Sequence, residues 1–463
     1  MPSNGSRGWS RREFLKLAGA GLAGAALLGA SGCGGGASEG SLRIALFGSR
    51  SDAERRQKMI PLFKKKFPDA NVEYVPIQGK DWEEFFSKIL TQLAADDPPD
   101  ITFVATEGTQ LFAGEGIAVP LDDYVKRDKE EMREYFSDVH PTLVEAMMYD
   151  GSLYELPIDF NAANMYYNTG LLEAAGFDRP DPNWTKDDFY NIAKAFKGKE
   201  AAGYNWVNRL WGSWTPWIFN NESNLLTEAR APGGDWLWDT FYKDEPDAKN
   251  RGGGWRWEEP KANAAANVEA LEFMLELQRE NIAPKPDLGG GETLQGFFAS
   301  DKIAMTPGGG FWAGGLTAAG MEPGSFDVQL FPRWKSQRHL FGTAGYMIME
   351  ASENKDLAWE YIKFLASEEA MKIELEGNFS TPTRKSMMTA ERYAQTGPEH
   401  WQVFYDTLTE HPDTAPIPAP PQANPMTTIF TSYTSEAATG SKTAKQALDA
   451  MQRDLEELFA RES

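Results

Sequence analysis

The chain has 463 residues, of which 41% are hydrophobic and 25% charged, and its formal net charge at pH 7 is −22. This length allows two or three domains with substantial hydrophobic cores. A surface this acidic repels nucleic-acid phosphates and anionic lipid headgroups, so the composition excludes nucleic acid as a partner.

The first residues of the chain have the pattern of an export signal. Arg11 and Arg12 are followed closely by Phe-Leu-Lys and then by a Gly- and Ala-rich apolar run, 17–30. That run is too short for a membrane span, which needs roughly 20 apolar residues. A basic start, a weakly apolar run and small residues before a cleavage site are typical of a secretory signal. The paired arginines closely resemble the twin-arginine export signal of bacteria.

Cys33 is the only cysteine of the chain. The four residues Ala30–Cys33 resemble the lipobox of bacterial lipoproteins, which implies a signal peptide over 1–33 and a lipid on Cys33. The glycine-rich segment 34–40 then predicts a flexible tether. The alternative is a free thiol near a signal-peptidase site. In either case no further cysteine is left for a disulfide or a thiolate metal site.

The segment after the tether alternates between strand and helix patterns. Apolar or alternating runs predict strands at 42–47, 71–77 and 100–105. Between them, apolar side chains at helical spacing predict helices over 59–67 and 82–93. Strand, helix, strand, helix, strand is the order of a parallel sheet covered by helices, so we predict the α/β class.

The rest of the chain continues this mixture with less regular spacing. Helical and strand patterns occupy 186–196, 264–280, 327–331, 344–349 and 443–459. The segment 233–260 is rich in Gly, Asp, Glu and Trp and has no clear period. We interpret it as an irregular insertion, although it is long for a loop without secondary structure.

A series of short motifs runs along the chain in a characteristic order. They are Phe67–Val72, Leu93–Ile101, Gly114–Asp122, Gly151–Pro157, Tyr166–Asn168, Phe297–Met305 and Ala358–Leu365. Together they resemble the bacterial extracellular solute-binding proteins of ABC importers, in particular the carbohydrate-binding group that is similar to maltose-binding protein. Each motif alone is weak, but their order and spacing are specific.

The resemblance implies an α/β fold of two lobes, each a mostly parallel sheet flanked by helices, joined by hinge crossovers. We place lobe 1 at 41–157 and 307–365, and lobe 2 at 158–306 and 366–463, with the first crossover in 151–168. The resemblance further implies a monomer without a cofactor, which binds a sugar or oligosaccharide between its lobes. Its other partners would be the transmembrane subunits of an ABC permease, and it would meet the membrane through the lipid anchor only.

Several polar residues are candidate ligand contacts on the first lobe. Arg50 and Glu107 follow predicted strands, and in open α/β sheets ligands bind beyond the carboxyl ends of strands. The alternative for Arg50 is an exposed residue at a helix entry. Asp159 and Asn161 lie in the predicted crossover, where they are either ligand contacts or turn formers.

Two further candidates rest on the resemblance. Tyr346 lies in a comparable first-lobe loop, and Arg384 in Ser-Thr-Pro-Thr-Arg resembles a Pro-x-Arg feature of the family.

Tryptophan is the clearest compositional signal. Trp211 and Trp214 lie in a Trp-rich region where the family places second-lobe contacts, and Phe311 and Trp312 follow Gly308–Gly310. Flat aromatic side chains suit the apolar faces of pyranose rings, so Trp211, Trp214 and Trp312 are candidate sugar contacts. The alternative is core packing, because each buried aromatic removes roughly 150–250 Å² of surface from water.

Signals for catalysis or metal binding are sparse. The four histidines are scattered, and no metal-binding His pair, nucleophile elbow or phosphate-binding loop occurs. Acidic residues are plentiful, but no catalytic pair stands out. We therefore predict a receptor without enzymatic activity. The alternatives are an exported glycosidase or lyase, and a receptor for a polyol, a phosphorylated polyol or a peptide.

Overall fold

The computed structural model describes residues 40–286 and 291–461, so the predicted signal peptide, Cys33 and most of the tether lie outside the described residues. Fifteen strands occur within these ranges. They are β1 Ser41–Phe47, β2 Asn71–Ile77, β3 Ile101–Ala105, β4 Met148–Tyr149, β5 Ser152–Leu153, β6 Leu156–Ala162, β7 Asn164–Asn168, β8 Ala202–Tyr204, β9 Leu226–Arg230, β10 Trp255–Pro260, β11 Ile303–Gly308, β12 Phe326–Gln329, β13 Leu340–Ile348, β14 Thr381–Pro382 and β15 Ala415–Pro416.

Two sheets divide the molecule into two lobes. The first sheet has the order β14-β6-β13-β3-β1-β2, with β15 beside β13, and defines lobe 1. The second has the order β12-β7-β11-β8 and defines lobe 2. The hairpins β4-β5 and β9-β10 form separate two-stranded sheets.

Helices cover both sheets. Those in the described part of the chain are α1 Arg50–Gln57, α2 Ile60–Phe63, α3 Trp82–Ala94, α4 Thr106–Gly114, α5 Asp122–Arg127, α6 Lys129–Asp138, α7 Pro141–Ala146, α8 Thr169–Ala174, α9 Lys186–Lys194, α10 Thr215–Asn220, α11 Asp235–Phe241, α12 Ala265–Arg279, α13 Gly291–Ala299, α14 Phe311–Ala318, α15 Lys355–Leu365, α16 Glu368–Glu374, α17 Ala390–Tyr393, α18 Val403–Thr409, α19 Ala423–Thr439 and α20 Ala444–Ala460. Two short 3₁₀ turns occupy Pro246–Ala248 and Lys385–Met387.

Each sheet is buried on both faces, because alternate side chains of a strand point to opposite sides. On β1, Ile44 packs into one cluster of lobe 1, and Ala45 packs into another with Phe85 and Phe86 of α3. On β7, Tyr166 packs on the opposite face from its two neighbours. Each lobe therefore has three layers, with helices on both sides of its sheet.

The two-lobed α/β class agrees with the prediction, but the pairing within the sheets is mixed. β1 pairs in parallel with β2 and β3, whereas β13 pairs antiparallel with both β3 and β6. In lobe 2, β7 is antiparallel to β11 and β12, and only β8 is parallel to β11. The prediction that the sheets are mostly parallel is thus corrected, because both sheets are mixed. In lobe 1, β13 returns from lobe 2 and enters the first sheet in the reverse direction.

The predicted lobe boundaries do not coincide with the sheets. All of β6 belongs to the first sheet, so the chain passes into lobe 2 at Ala163 and not at 157. β12 and the last two residues of β11 belong to the second sheet, whereas the prediction places 307–365 in lobe 1. β14 belongs to the first sheet, although the segment after 365 was assigned to lobe 2. Periodicity locates strands well, but it does not reveal which sheet a strand joins.

The segment predicted as an irregular insertion is instead an ordered arm, which we define as residues 226–260. It consists of β9, α11 and β10 and reaches from lobe 2 to lobe 1. Its root, including Trp255 and Trp257, packs in the core of lobe 2, whereas Leu237 and Trp238 near its tip pack in the core of lobe 1. The mixed exposure of this two-stranded arm explains why its sequence has no single hydrophobic period.

The arm is attached to lobe 1 by polar contacts as well. The buried carboxylate of Glu145 accepts from Arg230 Nε at 2.8 Å, from Arg251 Nη1 at 2.7 Å and from the backbone of Gly252 at 3.0 Å. The Tyr242 hydroxyl donates to the carbonyl of Val139 at 2.9 Å. The arm therefore forms an additional connection between the lobes.

Candidate functional site

The two lobes meet where β6 is followed by β7. On β6, Asp159 and Asn161 are two residues apart and therefore share one face of the first sheet. The register pairs Asp159 with Ala344 and Asn161 with Gly342 on β13. The two polar side chains thus stand on a face whose neighbouring positions on β13 carry very small residues.

Asn161 bridges the lobes. Its Nδ2 donates to Ser380 Oγ of lobe 1 at 3.0 Å, and its Oδ1 accepts from the backbone N–H of Phe311 in lobe 2 at 3.1 Å. Phe311 is the first residue of α14, so Asn161 satisfies one of the free N–H groups at that helix start. A Cβ on Gly309 would lie 2.9 Å from the Asn161 Cβ, so this approach requires glycine.

Asp159 is partly buried beside Asn161. Burial raises its pKa to about 7, and the negative charge of Glu374 contributes to the rise. The Ser380 hydroxyl and the Arg56 guanidinium oppose it. At neutral pH this carboxyl is therefore close to its titration midpoint.

A second acidic group lies at the start of α4. Burial raises the pKa of Glu107 to about 7, and the charge of Glu83 adds to that rise. The Thr106 hydroxyl donates to Glu107 Oε2 at 3.3 Å, and both this bond and the positive charge of Arg209 lower the pKa. Burial also lowers the pKa of Arg209, while Glu107 and Glu83 counteract that effect. Two acids of lobe 1 therefore face one guanidinium of lobe 2.

Lobe 2 contributes two aromatic rings to this region. Trp211 and Phe311 are partly buried, and their ring centroids lie 5.8 Å apart at an interplanar angle of 48°. Arg209 donates from Nε to the Trp211 carbonyl at 3.0 Å, which fixes the backbone that carries the indole. The interface between the lobes thus combines aromatic surface from one lobe with carboxylate and amide groups from the other.

Two predicted tryptophan contacts are corrected. Trp214 is 1% exposed, donates from Nε1 to Asn208 Oδ1 at 2.7 Å, and packs edge-on against Trp206. Trp312 is fully buried against Tyr166 on the inner side of α14. Both belong to the core of lobe 2. Core packing, the alternative left open by the sequence, applies to these two residues.

The prediction that Tyr346 contacts the ligand is also corrected, because Tyr346 is a core residue. It is fully buried in lobe 1, and its hydroxyl donates to Glu374 Oε1 at 3.2 Å. The same oxygen accepts from Arg56 Nε at 2.6 Å. Two members of this network act on Asp159 from a distance, since the charge of Glu374 raises its pKa and the charge of Arg56 lowers it.

The two predicted arginine contacts are placed differently by the structure. The side chain of Arg384 is 5% exposed and is bound by Glu134 at 2.6 Å and Asp138 at 3.0 Å, so it stabilises lobe 1 internally. This corrects the predicted ligand role of Arg384. Arg50 is exposed at the first residue of α1, as the helix-entry alternative describes.

Sequence reasoning missed four residues of the site: Glu83, Arg209, Gly342 and Ser380. Arg209 stands two positions before Trp211, so its place in the Trp-rich region indicates that it lies near the site. Gly342 lies inside a strand, where a glycine often marks a close approach of another group. Glu83 and Ser380 carried no distinguishing pattern, because only the folded chain brings them to the site.

Within the described part of the chain, no cluster of three or more His, Cys, Asp or Glu side chains has a geometry that holds a metal ion. No helix among those residues has the length and apolar character needed to cross a bilayer.

Two α/β lobes with polar and aromatic groups at their interface define a two-lobed binding protein. The chain belongs to the family of bacterial extracellular solute-binding proteins, which matches residues 48–372. The predicted family membership is thereby confirmed.

Individual relatives agree with this membership. A lactose-binding protein of Rhizobium radiobacter is 24% identical over 395 residues, which cover 82% of this chain and 85% of the relative. A binding protein of Brucella abortus is 34% identical over 142 residues, and this match spans only 31% of the length of either protein.

The fold itself is shared with a solved structure. An ABC substrate-binding protein of Listeria monocytogenes, in complex with cycloalternan, has a TM-score of 0.75 at 21% identity. The superposition covers 91% of this chain and all of the other. The predicted two-lobed fold is therefore confirmed.

Proposed function

We propose that the protein captures a sugar or oligosaccharide between its lobes and delivers it to the permease of an ABC importer. The observation that carries this proposal is the pairing of Trp211 and Phe311 on lobe 2 with Glu107, Asp159 and Asn161 on lobe 1. A pyranose has apolar faces that stack on aromatic rings and hydroxyl edges that donate to carboxylates. The lactose-binding and cycloalternan-bound relatives support a carbohydrate as the solute class.

The proposed mechanism is closure of the two lobes around the ligand. A ligand that contacts both lobes binds the closed state more tightly and shifts the open–closed equilibrium toward it. The permease would then recognise the closed form. Asn161 supports this mechanism, because its side chain already joins lobe 1 to the first turn of α14.

We further propose that Cys33 carries the lipid that anchors the protein outside the cytoplasm. The lipobox-like sequence before it and the glycine-rich segment after it support this assignment. Replacing Cys33 by Ser should release the mature protein from the membrane fraction into the soluble fraction. Continued membrane association of the Cys33→Ser variant would contradict the anchor.

Calorimetry with purified protein tests the function. We expect one member of a panel of mono-, di- and oligosaccharides to bind with a Kd well below millimolar. Binding of a polyol, phosphorylated polyol or peptide in the absence of sugar binding would overturn the sugar assignment. The ligand recovered after incubation should be chemically unchanged, whereas a cleavage product would support the alternative of an exported glycosidase or lyase.

A further inference from the structure

Gly342 occupies an unusual place for a glycine. It lies inside β13, paired with Asn161, and its backbone does not have the left-handed conformation that favours glycine. Glycine in a strand interior weakens the strand, because it has the greatest freedom to lose and no side chain to pack. Its presence therefore calls for a reason other than backbone conformation.

The space above Gly342 is occupied by Trp211 of the opposite lobe. A Cβ at position 342 would lie 3.1 Å from Trp211 Nε1, 3.5 Å from its Cδ1 and 3.4 Å from Thr106 Oγ1. The first of these distances is shorter than an ordinary van der Waals contact. The indole edge of Trp211 thus packs directly against the backbone of lobe 1, between Thr106 and Asn161.

The backbone around Trp211 is held in a fixed shape. Trp211 is extended, with φ −67° and ψ 129°, and Gly212 follows in the left-handed region at φ 73°. The Arg209 side chain donates to the Trp211 carbonyl and lies with its guanidinium carbon 5.3 Å from the indole centroid. The groups that hold Trp211 in place lie in lobe 2, whereas Gly342 lies in lobe 1. A side chain at position 342 would therefore obstruct the indole only when the two lobes are together.

We infer that Gly342 is a positioning residue: its missing side chain lets Trp211 seat on lobe 1 as the lobes close, which sets the orientation of the aromatic face offered to the ligand. This inference rests on the proposed function. It assigns a specificity role to a position that does not need to touch the ligand, since it acts through Trp211.

The effects of a substitution on thermal stability and on ligand affinity separate this role from a structural one. Valine has a higher strand propensity than glycine, so Gly342→Val should leave the thermal stability of the protein equal or higher. The same valine would collide with Trp211 and disfavour the closed state. Ligand affinity should therefore fall while stability does not, an outcome that a purely structural role would not produce.

The test is a double-mutant cycle of Gly342→Val and Trp211→Ala, measured by calorimetry with the sugar that the wild type binds best. We expect Gly342→Val to weaken binding about tenfold or more in the wild-type background, and Gly342→Ala to weaken it less. In the Trp211→Ala background, Gly342→Val should have no further effect, because the group that it obstructs is gone. If the losses of binding free energy were additive, Gly342 would act on the ligand directly and not through Trp211, and the inference would be overturned. Gly296→Ala is the control, since a Cβ there meets nothing within 4 Å.

A second readout does not need a ligand. The protein labelled with 5-fluorotryptophan gives a ¹⁹F resonance for Trp211 that the Trp211→Phe variant identifies. The structure holds Trp211 against Gly342, so Gly342→Val should shift this resonance without added sugar, and Gly296→Ala should leave it in place. A resonance that stays unshifted both with and without added sugars would contradict the contact. Failure of every sugar to bind, together with a shifted resonance, would instead reject the proposed function and leave the Trp211–Gly342 contact standing.

Discussion

The side-chain oxygen of Asn161 accepts the backbone N–H of Phe311 at 3.1 Å, which joins β6 of lobe 1 to the first turn of α14 in lobe 2. The bond joins the two lobes directly beside the crossover, where β6 ends and β7 begins. It therefore stabilises the arrangement of the lobes and not the interior of either one.

Replacing Asn161 by Ala should weaken ligand binding because it removes this bond between the lobes, whereas the bond to Ser380 lies within lobe 1 and contributes to folding stability. A lost hydrogen bond costs about 1 kcal/mol, so we expect an affinity decrease of roughly fivefold. Calorimetry measures the affinity, and thermal unfolding without ligand serves as the internal control. A variant with unchanged affinity would assign Asn161 a local role in the strand.

Trp211 and Trp214 form a matched pair for testing the site. Trp211→Ala should lower affinity at least about tenfold with little loss of stability, because its ring is partly exposed between the lobes. Trp214→Ala should cost about 3–5 kcal/mol of folding free energy, because its ring is buried in the core of lobe 2. Urea unfolding and calorimetry on both variants measure the two quantities. The reverse pattern would return Trp214 to the ligand site.

This pair also shows what the sequence was able to predict. Two tryptophans three residues apart have the same composition signal, and only the kink at Gly212 sends one toward the other lobe and the other into the core. The same limit applies to Phe311 and Trp312, which are adjacent on α14 but differ in burial: Trp312 is fully buried, whereas Phe311 is partly buried and contacts Trp211. Strand and helix positions followed well from periodicity, because each pattern reflects a buried face. Pairings between distant segments, such as Gly342 with Trp211, leave no periodic trace.

Ligand affinity should depend on pH through Glu107 and Asp159, both of which have a pKa raised to about 7 by burial. An ionised carboxylate accepts hydroxyl hydrogen bonds more strongly than a protonated one. We therefore expect binding to be tighter at pH 8 than at pH 6. Glu107→Gln should weaken binding at pH 8 and reduce the pH dependence, leaving the part due to Asp159. Equal pH profiles of wild type and variant would contradict a ligand role for Glu107.

Glu155 predicts a pH dependence of folding stability. It is fully buried in lobe 1, where Thr109 Oγ1 donates to it at 2.8 Å, and burial raises its pKa from 4.5 to about 8. Between these two pH values the unfolded state releases the proton while the folded state retains it, so stability falls as pH rises. Below pH 4.5 both states are protonated and the effect vanishes.

Glu155→Gln removes this proton equilibrium and keeps an oxygen for Thr109. Stability should therefore fall between pH 5 and pH 8 by about 1–3 kcal/mol more in the wild type than in Glu155→Gln. Urea unfolding at several pH values measures the difference. Parallel stability curves for the two proteins would show that Glu155 is already ionised in the folded state.

The arm of residues 226–260 limits how the cleft can open. Its tip is part of the core of lobe 1 and its root is part of the core of lobe 2. The arm therefore ties the lobes together in addition to the crossover that follows β6. Any separation of the lobes has to keep both attachments or bend the arm between its tip and its root.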